Sequence, residues 1–104
     1  MYAVLFTAEI NSLDERYYKK SNLMRELAFK KYHCKGLNST SQDNKEITIS
    51  YWDNLDDINN FKNDSYHLEV QNIGKSKWYK SYNVEITEVT RQYSFSNSSR
   101  IISS

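Results

Sequence analysis

A chain of 104 residues is one domain's length, and 14 basic against 13 acidic residues, net charge +1, lack the basic surface of a nucleic-acid binder. Its 38% hydrophobic and 14% aromatic residues, with nine Tyr, four Phe and two Trp, exceed what a solvated coil carries. One cysteine, Cys34, excludes an intrachain disulfide and points to a reducing, cytoplasmic setting. No signal-peptide pattern opens the chain, and no stretch approaches the ~20 apolar residues of a membrane span.

Tyr2–Glu9, "YAVLFTAE", is read as a buried strand. Val4, Phe6 and Ala8 point one way and Ala3, Leu5 and Thr7 the other, so both faces carry apolar side chains. Ser12 with Glu15 three positions on suggests a capping box, and Leu13, Tyr17, Met24, Leu27 and Ala28 mark an apolar stripe to about Lys31. The basic run "RELAFKKYHCK" sits at the end of that helix, where cations complement its dipole. Gly36 punctuates the turn into a polar strand, "LNSTSQ". Asp43 to Lys45 then form a hairpin turn to an alternating strand, "EITISYW".

A second, broken helix follows. Asp53 or Asn54 caps it, Leu55, Ile58 and Phe61 form its apolar side, and Asn63–Ser65 offers a second cap. Tyr66, Leu68, Val70 and Ile73 then lead to Gly74, and the last strand is predicted over Ser81–Tyr93. The domain is therefore expected over residues 1–93, with a Ser- and Asn-rich, flexible tail expected over 94–104 in which Ile101 and Ile102 could dock.

The order β-α-β-β-α-β is the ferredoxin-like pattern of an α+β domain, with helices on one face of an antiparallel sheet. Strands one, three and four have two apolar faces, so the other face needs cover. A second copy supplies it, and two sheets face to face would form a dimeric α/β barrel.

The segments "YAVLFTAE", "ITISYWDNLDDINNFK" and "YHLEVQNIGKSKWYKSYNVEI" together resemble the antibiotic biosynthesis monooxygenase family over about Tyr2 to Phe95. The resemblance rests on a strand ending in Tyr-Trp before an acidic helix cap, then a His-bearing helix, a Gly turn and Trp-Tyr before the last strand. It implies a homodimeric, cofactor-independent monooxygenase acting on a small aromatic or quinone-like molecule. The family also has a haem-degrading branch, which makes haem the alternative cofactor, and members without assigned chemistry, which leave a non-catalytic ligand-binding dimer as a further reading. Two departures stand out. A Pro-Gly-Phe-type turn is replaced by "YHCKGL", and the first strand carries Thr7 where the haem-degrading branch uses Asn.

Cofactor-free oxygenation needs a dry, aromatic-lined cavity with a few hydrogen-bonding groups. Phe6, Tyr51, Trp52, Trp78, Tyr79 and Tyr82 supply rings, while Thr7, Thr48, Ser50 and His67 supply polar groups. From these, His67 is the candidate catalytic base, since its unperturbed pKa of about 6.5 suits proton transfer near neutrality, the plainer alternative being a surface or capping histidine. Phe6, Trp52, Trp78, Tyr79 and Tyr82 are the candidate substrate-binding residues. The plainer alternative for Trp52 is packing under the second helix, and for Trp78, Tyr79 and Tyr82 packing of a dimer seam. His33 and Cys34 are adjacent, point apart and have no second ligand pair, so no metal site is expected. Two separated glycines exclude a phosphate-cradling loop.

Overall fold

The computed structural model describes residues 1–97. Its elements are β1 (Tyr2–Ile10), α1 (Glu15–Lys30), β2 (Gly36–Gln42), β3 (Lys45–Trp52), α2 (Leu55–Lys62), α3 (Ser65–Ile73) and β4 (Tyr79–Glu88). A π-helical turn, Gly74–Trp78, joins α3 to β4. The strands form one antiparallel sheet in the order β2-β3-β1-β4, which is the ferredoxin-like arrangement.

Local chemistry sets the boundaries, and some differ from expectation. Helix α1 is capped by Asp14, whose side chain accepts from the Tyr17 amide, and not by Ser12. The Asn11 and Ser12 amides instead donate to the Trp78 carbonyl at 2.7 and 3.3 Å, which ties this segment to the start of β4 and delays the helix. Asn54 caps α2 through the Asp57 amide, and Asp64 caps α3 through the Tyr66 and His67 amides, so the expected break is real. Asp43 and Asn44 both have positive φ, 52° and 63°, as a tight two-residue hairpin requires.

Strand β4 starts at Tyr79 and stops at Glu88, earlier at both ends than the predicted Ser81–Tyr93. Its end follows from its partner: Glu88 pairs with Tyr2, where β1 begins, and one further bond joins the Val89 amide to the Met1 carbonyl. Residues 89–97 carry no helix or strand, and the rest of the expected tail, residues 98–104 with Ile101 and Ile102, lies outside the described residues.

The two faces of the sheet invert the usual rule. On β3, Glu46, Thr48, Ser50 and Trp52 point to the helix side, while Ile47, Ile49 and Tyr51 point to the open side. Strand β2 sets Leu37, Ser39 and Ser41 opposite Ser50, Thr48 and Glu46, so the inward face carries a ladder of small hydroxyls. The helix–sheet core is correspondingly thin. It gathers Ala28, Cys34, Trp52 and Ile58, flanked by Tyr2, Val4, Phe29, Tyr32, Leu37 and Phe61.

Candidate functional site

Between helices and sheet lies a cavity of about 620 Å³. Well-packed interiors leave few voids larger than a water molecule, and this volume falls in the range of small-molecule sites. Phe6, Trp52, His67, Trp78, Tyr79 and Tyr82 all line it. Tyr51 and Thr7 do not: they pair with Ala3 and Ile47 on the open face and leave the candidate set.

A register irregularity makes this convergence possible. Ile10 pairs with Tyr79 and Glu9 with Ser81, so Lys80 is an extra residue in β4. Tyr79 and Tyr82, three positions apart, therefore reach the same face, where strict alternation would separate them. Phe6 sits 5.5 Å from the Tyr79 ring and 5.4 Å from the Tyr82 ring, and Tyr17 makes an edge contact with Trp78 at 5.4 Å. Gly74 gives Tyr79 its place, since a Cβ there would lie 3.1 Å from the ring's Cδ2 and Cε2.

A second aromatic group surrounds His67. Trp52, only 1% exposed, packs 5.4 Å from Phe61, and Phe61 meets the His67 ring edge-on at 4.4 Å. Trp52 thus packs near α2 and lines the cavity as well. Its indole N–H donates to the Ser50 hydroxyl at 2.9 Å. His67 Nδ1 lies 3.0 Å from the Phe61 carbonyl. A carbonyl can only accept, so Nδ1 carries the proton and Nε2 is the basic nitrogen of the neutral ring. Burial pushes the His67 pKa below its ordinary 6.5, partly offset by the Phe61 carbonyl and by Asp64. The helix break positions this ring. Asp64 accepts from the His67 amide, and its carboxylate also takes the Tyr32 hydroxyl, which with the backbone amides holds the Asp64 pKa low.

Two residues that sequence reasoning passed over belong to the site. Glu46 is 5% exposed and its Oε1 accepts from the Tyr17 hydroxyl at 2.5 Å and the Tyr79 hydroxyl at 3.1 Å. Its Oε2 accepts from Thr48 at 3.2 Å, and Thr48 is 2.7 Å from the Ser39 hydroxyl. Burial, reinforced by the Glu46 carboxylate, drives both tyrosine pKa values far up, so both phenols remain donors. The available signal was parity: Glu46 shares a face with Thr48, Ser50 and Trp52. In the sequence, Tyr17 falls within the apolar stripe of α1, which hides its hydroxyl's role. Among the described residues no three His, Cys, Asp or Glu side chains gather as a metal site, and no helix is long and apolar enough to cross a membrane.

Solved structures of low sequence identity share this fold. Rv0793 of Mycobacterium tuberculosis superposes with TM-score 0.75 at 7% identity, covering 89% of this chain and 98% of its own. SnoaB of Streptomyces nogalater, a cofactor-independent oxygenase, gives 0.74 at 6% identity over 88% and 94%. A Nitrosomonas europaea protein provisionally named an antibiotic biosynthesis monooxygenase gives 0.73 at 9% identity over 88% and 100%. The chain thus shares the fold of these structures, as the sequence resemblance implied for the single chain.

No family model matches the sequence. The uncharacterized protein YqjZ of Bacillus subtilis (strain 168) is 35% identical over 95 residues, spanning 90% of this chain and 83% of YqjZ. The chain belongs to the same family as YqjZ.

Proposed function

We propose that the chain is a homodimeric, cofactor-independent monooxygenase of the cytoplasm that oxidises a small aromatic, quinone-forming compound. One observation carries the reading: a cavity of about 620 Å³ is walled by aromatic rings and lined by His67, whose basic Nε2 makes no hydrogen bond to the protein among the described residues. The assignment of His67 as base, and of Phe6, Trp52, Trp78, Tyr79 and Tyr82 as substrate walls, rests on that geometry together with the shared fold. The apolar open face, with Leu5, Ile47, Ile49 and Tyr51, supports the homodimer.

His67 Nε2 accepts the phenolic proton of the substrate, and the aromatic walls keep the resulting anion away from water. The anion passes an electron to molecular oxygen, and the radical pair joins as a carbon–oxygen bond. Loss of water then leaves a carbonyl. For an anthrone-type methylene the balance is CH2 plus O2 giving C=O plus H2O, with the substrate supplying all four electrons. Burial keeps His67 neutral at pH 7, which is the form a base needs. The acid limb of the kcat/KM profile is therefore expected below pH 6.5, with a plateau above it.

Oxygen uptake with a panel of hydroquinones and anthrone-type phenols tests the reading. Turnover that falls in His67→Ala by ~100-fold or more, the usual scale of a lost general base, is expected. Absence of turnover, with wild type and variant alike, would sink it.

Haem is a second reading, favoured by the same Nε2. The fit is incomplete, because β1 turns Tyr2, Val4, Phe6 and Ala8 to the helix side, none of them Asn, and Thr7 to the other. A Soret band on adding haemin, diminished in His67→Ala, would support it, and a flat titration removes it. A cavity that binds apolar ligands without oxygen uptake above background would leave a ligand-binding dimer.

A further inference from the structure

We infer that the Glu46 end of the cavity is a binding subsite for an organic cation, an ammonium group borne on an aromatic or apolar body. The inference goes beyond the oxygenase reading and needs no turnover.

Glu46 is a carboxylate buried to 5% exposure that makes no ion pair within the described residues. Burying a charge without a counter-charge is costly, and such groups are ordinarily paired. Three hydroxyls, from Tyr17, Tyr79 and Thr48, donate to it, but they are neutral and leave its charge uncompensated. Tyr17 and Tyr79 occupy Oε1, while Oε2 takes only Thr48, so Oε2 retains acceptor capacity. The cavity's own cations are engaged elsewhere or at another end. Arg25 donates to the Leu37 carbonyl at 3.2 Å, and Lys62 closes α2 on the His67 side.

The surroundings of Glu46 suit an ammonium ion. Phe6, Tyr79 and Tyr82 form one group of ring contacts at 5.4 to 6.2 Å and Tyr17 and Trp78 a second at 5.4 Å; the two groups meet at Glu46 through the Tyr79 and Tyr17 hydroxyls, and all five rings line the cavity. An ammonium group gains from aromatic walls and from a carboxylate together, most of all where water is excluded. A neutral ligand gains at most a hydrogen bond to Oε2, without the charge attraction, and an anion is repelled. The same strand face otherwise carries the neutral side chains of Thr48, Ser50 and Trp52, which makes Glu46 its source of charge selection.

The test is calorimetric titration of the full chain with benzylammonium, benzyl alcohol and benzoate at pH 7. Benzylammonium is expected to bind at least about tenfold tighter than benzyl alcohol, the scale of a partly desolvated cation–π and ion contact, and benzoate weakest. Glu46→Gln keeps side-chain shape and is expected to remove the preference for the cation. Equal affinities for the three, no benzylammonium binding at millimolar concentration, or an unchanged preference in Glu46→Gln overturns the inference. A measurement on the wild-type chain guards against a variant that fails to fold. Nuclear Overhauser contacts from the ligand methylene to Tyr79 and Trp78 ring protons are expected, and contacts confined to Trp52 and Phe61 would overturn the assignment.

Discussion

At the scale of single residues, His67 and Glu46 show how position decides chemistry. Both occupy a cavity lined by rings, yet one is held neutral by burial while the other is wrapped in hydroxyl donors. His67 has a consequence for stability. Its folded pKa lies below 6.5, so as pH falls below about 6.5 the unfolded chain takes up a proton that the folded chain resists. Stability is expected to hold above that pH and to decline as acid is added, down to the folded pKa. The stabilisation from Asp64, with its lowered pKa, is intact over this window and is lost only at lower pH, in the carboxylate range. Urea melts between pH 7.5 and 5 check this: the loss should shrink in His67→Gln, which retains a donor for the Phe61 carbonyl. His67 was legible in the sequence because it is a histidine inside the matching segment. Glu46 was not, since a charged residue at a strand start normally reads as solvated, and only its tyrosine partners, distant in sequence, bury it.

At the scale of elements, the order β-α-β-β-α-β, the helix break and the hairpin were readable because each has a local cause: periodicity, a cap or a turn pair. What was missed depends on partners. Ser12 fits a cap pattern, but its amide is committed to the Trp78 carbonyl. Residues after Glu88 alternate like a strand, but β1 offers nothing for them to pair with. The π turn and the extra Lys80 obey no local rule visible in composition, and they bring Tyr79 and Tyr82 to one side. The hairpin gives a direct test of local conformation. Asn44 has φ 63°, so Asn44→Val, a β-branched residue in the left-handed region, is expected to cost about 1–2 kcal/mol in a denaturant melt. An unchanged midpoint would show that the turn relaxes to another form.

At the scale of the whole molecule, the open face of the sheet is the feature that a monomer leaves unexplained. Leu5, Ile49 and Tyr51 lie side by side across β1 and β3, and Ile47 beside them is 44% exposed. An apolar patch of this kind is covered most simply by a two-fold copy, the pairing proposed above. Ile49→Glu places a charge in the centre of that patch. It is expected to shift the chain from dimer to monomer in sedimentation velocity, and in the wild type the melting temperature should rise with protein concentration. A wild-type monomer at all concentrations would refute the pairing.

The inverted face of β3 has one further consequence. Along its eight residues, Glu46, Thr48 and Ser50 meet whatever enters the cavity, while Ile47, Ile49 and Tyr51 meet whatever lies beyond the sheet. Even and odd positions therefore answer to separate demands, although they are neighbours in the chain. A substitution at an even position can retune which molecule is held without touching assembly, and one at an odd position can alter assembly without touching the pocket. Two properties that most folds entangle are here sorted by the parity of a single strand.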